Sequence, residues 1–195
     1  MSRSAAQLES VPLPQPDGGE LPTEVTAFLA DARQRIHHFD PPRRIPEFQS
    51  CDGALIYRTL GAIVGAGLAP GPRFCEWGSG FGVATCCAAL LGMLARGIEI
   101  EAPLHQEARA LAEAHGIDAT LSLGSFKPDG LYEERLPDPE PAPLGFAPTD
   151  CDLVYAYPWP AEERWVEALF AHYAAPGTLL LTYHGGVTQK LRRKV

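Results

Sequence analysis

The stretch "RFCEWGSGFGVATCC", Arg73 to Cys87, limits the folds open to this chain more than any other. Arg73 to Trp77 is short, apolar and bounded by Pro72 and Gly78, the pattern of a buried strand. Gly78, Gly80 and Gly82 then lead into "GVATCCAALLGMLAR", which has helical length. The alternation repeats along the chain. "GIEI" (Gly97 to Ile100) predicts a second strand, and Pro103, where a helix favours its first turn, opens "LHQEARALAEAH" with Gly116 as the stop. "ATLSL" (Ala119 to Leu123), "DLVYAY" (Asp152 to Tyr157) and "TLLLTYH" (Thr178 to His184) predict three more strands, with the helical "AEERWVEALFAHYA" between the last two. Strands alternating with helices imply right-handed crossovers. The expected fold is therefore α/β, a doubly wound, mostly parallel sheet of about five strands. Ligands of such sheets bind beyond the carboxyl ends of the strands, where the strand order reverses. The loops after Trp77, Ile100, Leu123 and Tyr157 are the places to look.

The rest of the chain is arranged around this core. At 195 residues and 46% apolar content, a single domain over residues 22–195 is expected, with 22–70 as a helical cap and 71–185 as the core. Residues 1–21, polar and Pro/Gly-rich, read as a disordered tail. Thr23 is the predicted N-cap of "EVTAFLADARQRIHHF", which "DPPRRIP" stops, and a second helix is predicted from about Ser50 to the glycines of "VGAG". The Pro-rich segment from Lys127 to Asp150 reads as an irregular insertion. Only "GGVTQKLRRKV" follows His184, and "KLRRK" in it reads as a basic tail. The outer edge of the last strand is expected to be bare, covered by the N-terminal region, or used in self-association as a homodimer.

Charge and composition exclude several classes of function. A net charge of -8 argues against the broad basic surface that tracks a phosphate backbone, so nucleic acid is a disfavoured partner. Cys51, Cys75, Cys86, Cys87 and Cys151 form no C-x-x-C pair and are odd in number. They suggest neither a zinc ribbon nor a secreted disulfide framework, no metal site is expected, and a reducing cytoplasm fits best. The longest apolar run, Val83 to Ala95, is shorter than the roughly 20 residues that span a bilayer. A soluble protein without membrane association is expected.

A strand turning sharply into a helix gathers backbone N–H groups at the positive helix end, which suits a nucleotide-like ligand. Glycines are needed there because a Cβ blocks the turn and holds the ligand away from the backbone. A dinucleotide fingerprint, G-x-G-x-x-G, requires glycine where Val83 stands, and a phosphate-binding P-loop requires a lysine that the turn lacks. What remains is E-x-G-x-G-x-G, followed by an acid ending the next strand. This pattern resembles motif I of the class I S-adenosylmethionine-dependent methyltransferases, and the resemblance covers Phe74 to His184 in order and spacing.

The resemblance implies a role for each matching residue. Glu76, Gly78, Ser79, Gly80 and Gly82 are expected to approach the methionine end of the cofactor, and Glu99, with Glu101 in reserve, to bind the ribose hydroxyls. A carboxylate suits a vicinal diol because it accepts from both hydroxyls. Ser125 falls where the family often has an acid facing adenine, with Phe126 available to stack. "DLVYAYPWP" corresponds to motif IV, beside the transferred methyl group, but it departs from the N/D-P-P-Y/F/W sequence of enzymes that methylate nucleobase or glutamine nitrogens. Aromatic faces attract a sulfonium or a cationic amine by roughly 0.5–2 kcal/mol per contact. Tyr155 offers one on the cofactor side, and Tyr157 and Trp159 on the acceptor side, while His184 is the histidine best placed to act as a base. Tyr57, in the helix before motif I, is a candidate to approach the pocket from above. Small lysine methyltransferases with a shortened C-terminus are similar in layout, and the acidic overall charge favours a basic protein site, such as a side-chain amine, or a small molecule as acceptor. A non-catalytic cofactor-binding protein and a NAD-binding oxidoreductase are the alternatives.

Overall fold

The structure, a computed structural model, describes residues 8–40, 45, 50–127 and 150–195. Most of the "DPPRRIP" stop and the interior of the Pro-rich insertion lie outside them. In chain order the elements are β1 (Leu8–Val11), α1 (Thr23–His38), α2 (Gly53–Gly65), β2 (Arg73–Trp77), α3 (Val83–Leu90), β3 (Leu94–Glu99), α4 (Ala102–Ala114), β4 (Thr120–Leu123), β5 (Leu153–Ala156), α5 (Glu163–Tyr173), β6 (Leu179–Tyr183) and β7 (Gln189–Lys194). They form one sheet in the order β1-β7-β6-β5-β2-β3-β4.

Strands β2 to β6 are parallel, as expected. The chain runs outward from β2 through β3 to β4, then returns to lay β5 and β6 on the other side of β2. The strand order therefore reverses between β2 and β5, and the crevice beyond Trp77 and Ala156 is where ligands of such sheets bind. Side chains alternate across the sheet. Phe74, Leu153, Leu179 and Leu181 face a core shared with α1, α2, α3 and α4. Trp77, Ile98, Val154 and Leu180 face α5. Beneath the sheet, Arg73 closes the lower end of β2 onto Asp152, with Nε 2.9 Å from Oδ2 and Nη2 3.1 Å from Oδ1.

Among the described residues the sheet has seven strands where about five were expected. The segment after His184 turns through Gly185 and Gly186, both at positive φ, and returns as β7 antiparallel to β6. β1 then pairs with β7 from Leu8↔Lys194 to Val11↔Leu191, so part of the presumed N-terminal tail is a strand. The "basic tail" is a strand because four of its side chains, Lys190 to Arg193, have somewhere to go. Leu191 enters the core, Lys190 and Arg192 reach Glu163 and Glu167 on α5, and Arg193 reaches Glu9 on β1. β6 is thus paired on both sides, which removes it as an edge for self-association. Two helix starts also differ. α1 begins at Thr23 behind Pro22 with no side-chain cap, and α2 begins at Gly53 with Asp52 Oδ1 accepting from Leu55 N at 3.1 Å.

Candidate cofactor and acceptor site

The glycine turn is held from below by one carbonyl. Gly78 N and Ser79 N both donate to Ile98 O of β3, at 3.0 and 2.9 Å, which ties the turn to the neighbouring strand. Gly78, Gly80 and Gly82 all have positive φ (73°, 52° and 69°), a conformation that side-chain-bearing residues rarely adopt. At Gly82 a Cβ would also sit 3.1 Å from Leu121 and 3.3 Å from Ala108. Gly97 completes the arrangement from β3, since a Cβ there would lie 2.5 Å from Thr85 Oγ1 and 2.8 Å from Ser79 Cβ. Its position inside a strand was the available signal for a close backbone approach.

Two acids bind the turn from opposite sides. Glu76, 4% exposed, accepts from Thr85 N at 2.8 Å and Thr85 Oγ1 at 2.6 Å through Oε2, capping α3. Burial pushes its carboxyl up to about 8, against the two hydrogen bonds from Thr85. Glu99, 6% exposed, accepts from Gly80 N at 2.7 Å through Oε2 and from Glu101 N at 2.8 Å through Oε1. Both carboxylates line one cavity of about 610 Å³ at the reversal point. That volume is in the range of small-molecule sites.

The cavity gathers most of the predicted residues. Gly78, Ser79, Gly80, Phe126, Tyr155, Tyr157, Trp159 and His184 line it together with Glu101. Ser125 does not. It is exposed, its hydroxyl accepts from Lys127 N at 3.0 Å, and this local turn directs it away from the cavity wall. Tyr57 is also absent from the wall and packs against the helical core. Phe126 stacks on Trp77, with centroids 5.4 Å apart and rings 9° from parallel, so a ring expected to lie against the ligand instead has a face on its own protein. Trp77 thereby anchors the loop after β4 to the glycine turn.

The wall on the β5 and β6 side is made of side chains that contact one another. Tyr157 meets Tyr183 edge to face at 4.7 Å. Trp159 O accepts from Glu162 N at 2.8 Å, closing the "YPWP" loop onto the start of α5. His184 Nε2 lies 2.9 Å from Thr182 Oγ1, and burial lowers its pKa from the ordinary histidine value. Tyr155, 1% exposed, lines the cavity with its hydroxyl against the Cys51 thiol. The sequence had not singled out Cys51, Glu162 or Glu163, which also line the cavity. No motif spacing marks them, because they arrive from elements far apart in the chain.

The fold is shared with solved methyltransferases. An RNA methyltransferase of Salinibacter ruber, crystallised with S-adenosyl-L-homocysteine, superposes with a TM-score of 0.52 over 75% of this chain and 92% of its own, at 17% identity. A methyltransferase of Geobacter sulfurreducens gives 0.51 over 91% and 92%, also at 17% identity. An O-methyltransferase of Bacillus cereus in complex with S-adenosyl-L-homocysteine gives 0.53 at 12% identity, over 84% of this chain but only 66% of its own length. No family model matches the chain, and no curated protein matches it in sequence. At these identities the likeness is one of fold. Among the described residues, no helix is long and apolar enough to cross a membrane.

Proposed function

We propose that this chain binds S-adenosylmethionine and transfers its methyl group to an acceptor, a protein side-chain amine or a small molecule. The observation that carries this reading is Glu99, a buried carboxylate at the end of β3, bonded to Gly80 N and opening into the cavity at the strand reversal. A carboxylate so placed suits a vicinal diol, and Glu99 is assigned the ribose hydroxyls. The methionine end falls to Gly78, Ser79, Gly80 and Gly82, with Glu76 beneath them. Tyr155 is assigned to the cofactor side through its ring. The bound cofactor supplies a methyl group on a cationic sulfur, and the protein aligns the acceptor with that carbon. Tyr157, Trp159 and His184 are assigned to the acceptor side. The ion pairs of Lys190, Arg192 and Arg193 on β7 and the net charge of -8 support a protein or small-molecule acceptor over nucleic acid.

Thermal unfolding with S-adenosylhomocysteine and with NAD tests the cofactor. The first is expected to raise Tm with a concentration dependence set by its Kd. Stabilisation by NAD alone sinks the reading. Incorporation of tritiated methyl groups into cell extract then separates an enzyme from a non-catalytic binder, which would bind the cofactor and label nothing.

A further inference from the structure

Where α5 meets β7, at the rim of the cavity, stands a group of charged side chains that the preceding assignment leaves unused. Glu163, the first residue of α5, lines the cavity beside His184. Its Oε1 forms an ion pair with Lys190 Nζ of β7, and its Oε2 lies 3.8 Å from His184 Nδ1. The other ring nitrogen, Nε2, is held by Thr182 Oγ1, a hydroxyl that is 1% exposed. One nitrogen of the imidazole is thus fixed by β6, and the second faces an acid.

We propose that Glu163 is a positioning residue that makes His184 the proton acceptor for methyl transfer, which restricts the acceptor to a nucleophile that must shed a proton, an amine or a hydroxyl. This rests on the S-adenosylmethionine reading above. When Nε2 carries its proton and donates it to Thr182 Oγ1, Nδ1 keeps a lone pair on the side that Glu163 flanks. The acceptor atom forms a bond to the methyl carbon, the carbon–sulfur bond breaks with its electron pair left on sulfur, and the acceptor's proton passes to Nδ1. The products are a methylated acceptor, a neutral thioether and an imidazolium beside the Glu163 carboxylate. That carboxylate offsets the charge as it forms.

The charges facing His184 come from two elements. Glu163 and Glu167 on α5 favour the protonated ring, and Lys190 on β7 opposes it, as does burial, whose effect is the largest. The ring is therefore neutral near pH 7, the form a base requires. Lys190 also holds the Glu163 carboxyl below the usual carboxylate range, so the acid is ionised throughout. The pairing keeps Glu163 in place without letting it hold His184 protonated.

Histidine-labelled full-length protein, titrated by NMR, tests the coupling directly. Relative to wild type, Glu163→Gln is expected to lower the His184 midpoint by about 0.5–1 pH unit and Lys190→Met to raise it. With tritiated S-adenosylmethionine and cell extract, Glu163→Gln is expected to lose most of the plateau rate and to move the acid limb of the pH profile the same way. Glu163→Asp is expected to recover part of both. A His184 midpoint that does not move in Glu163→Gln, with stabilisation by S-adenosylhomocysteine intact, overturns the proposal. So does a wild-type plateau rate in that variant. Should Glu163→Gln not fold, an unmoved midpoint in Lys190→Met overturns it equally. A wild type that S-adenosylhomocysteine does not stabilise defeats the cofactor reading instead, and the NMR midpoints are read without it.

Discussion

Along the β2 and β3 side of the cavity, the groups offered to a ligand are backbone amides and the two acids that hold them. Along the β5 and β6 side they are side chains that hold one another. Gly78, Ser79, Gly80 and Glu99 are fixed by main-chain hydrogen bonds to Ile98 and by the bond from Gly80 N to Glu99. Tyr157, Trp159 and His184 are fixed by Tyr183, by the start of α5 and by Thr182. On the proposed reading the first arrangement takes the cofactor, which is the same whatever the acceptor. The second is free to vary with the acceptor, because no backbone geometry depends on it.

Substitutions on the two sides are expected to separate accordingly. Glu99→Ala carries the largest effect on cofactor binding. It removes charge-assisted hydrogen bonds worth about 1.5–3 kcal/mol, so S-adenosylhomocysteine is expected to bind roughly ten- to a hundredfold more weakly by calorimetry. Unchanged affinity breaks the assignment of that side.

Glu76→Gln sharpens the comparison through pH. Burial raises this carboxyl from 4.5 to about 8, so the folded state holds a proton that the unfolded chain has released. The stabilising effect is complete below the unfolded value and is lost as pH rises through about 8. A glutamine at this position keeps an oxygen for Thr85 and has no charge to bury. Tm measured at pH 5, 6.5 and 8 is expected to fall more steeply for wild type than for Glu76→Gln, and parallel curves refute it.

On the other side, Trp159→Ala is expected to slow methyl transfer by the loss of an aromatic contact worth about 0.5–2 kcal/mol, while the affinity for S-adenosylhomocysteine stays within about twofold. A large loss of that affinity would show that the two sides are not independent. Ser125→Ala is expected to do least, within about 0.5 kcal/mol in stability and with no change in binding, because the residue is exposed and outside the cavity wall.

Legibility followed the same division. The glycine turn, its acid and the acid ending the next strand lie close together in the chain, and local backbone geometry demands those residue types. They were readable, and the structure brings them to one cavity. Ser125 was misplaced because a position after a strand does not determine which way a loop residue turns; here its hydroxyl is taken by Lys127 N. Glu163 gave no signal, because its meaning depends on Lys190 and His184 arriving from β7 and β6. The two outer strands were hidden for a related reason. "QKLRRK" carries one apolar side chain among charges, and only the carboxylates of α5 and β1 make it a strand.

By itself, the sequence determined the alternation of strands and helices, the parallel core and the glycine turn between β2 and α3. Each depends on residues that are neighbours along the chain, where steric limits and hydrogen-bond demand act directly. The tertiary structure alone decided how the sheet is closed at its β6 side, that Trp77 holds the loop after β4, and that an acid from α5 stands beside His184. Those outcomes depend on which distant side chains share a small volume, and pairing at that range is set by the packing of the whole fold.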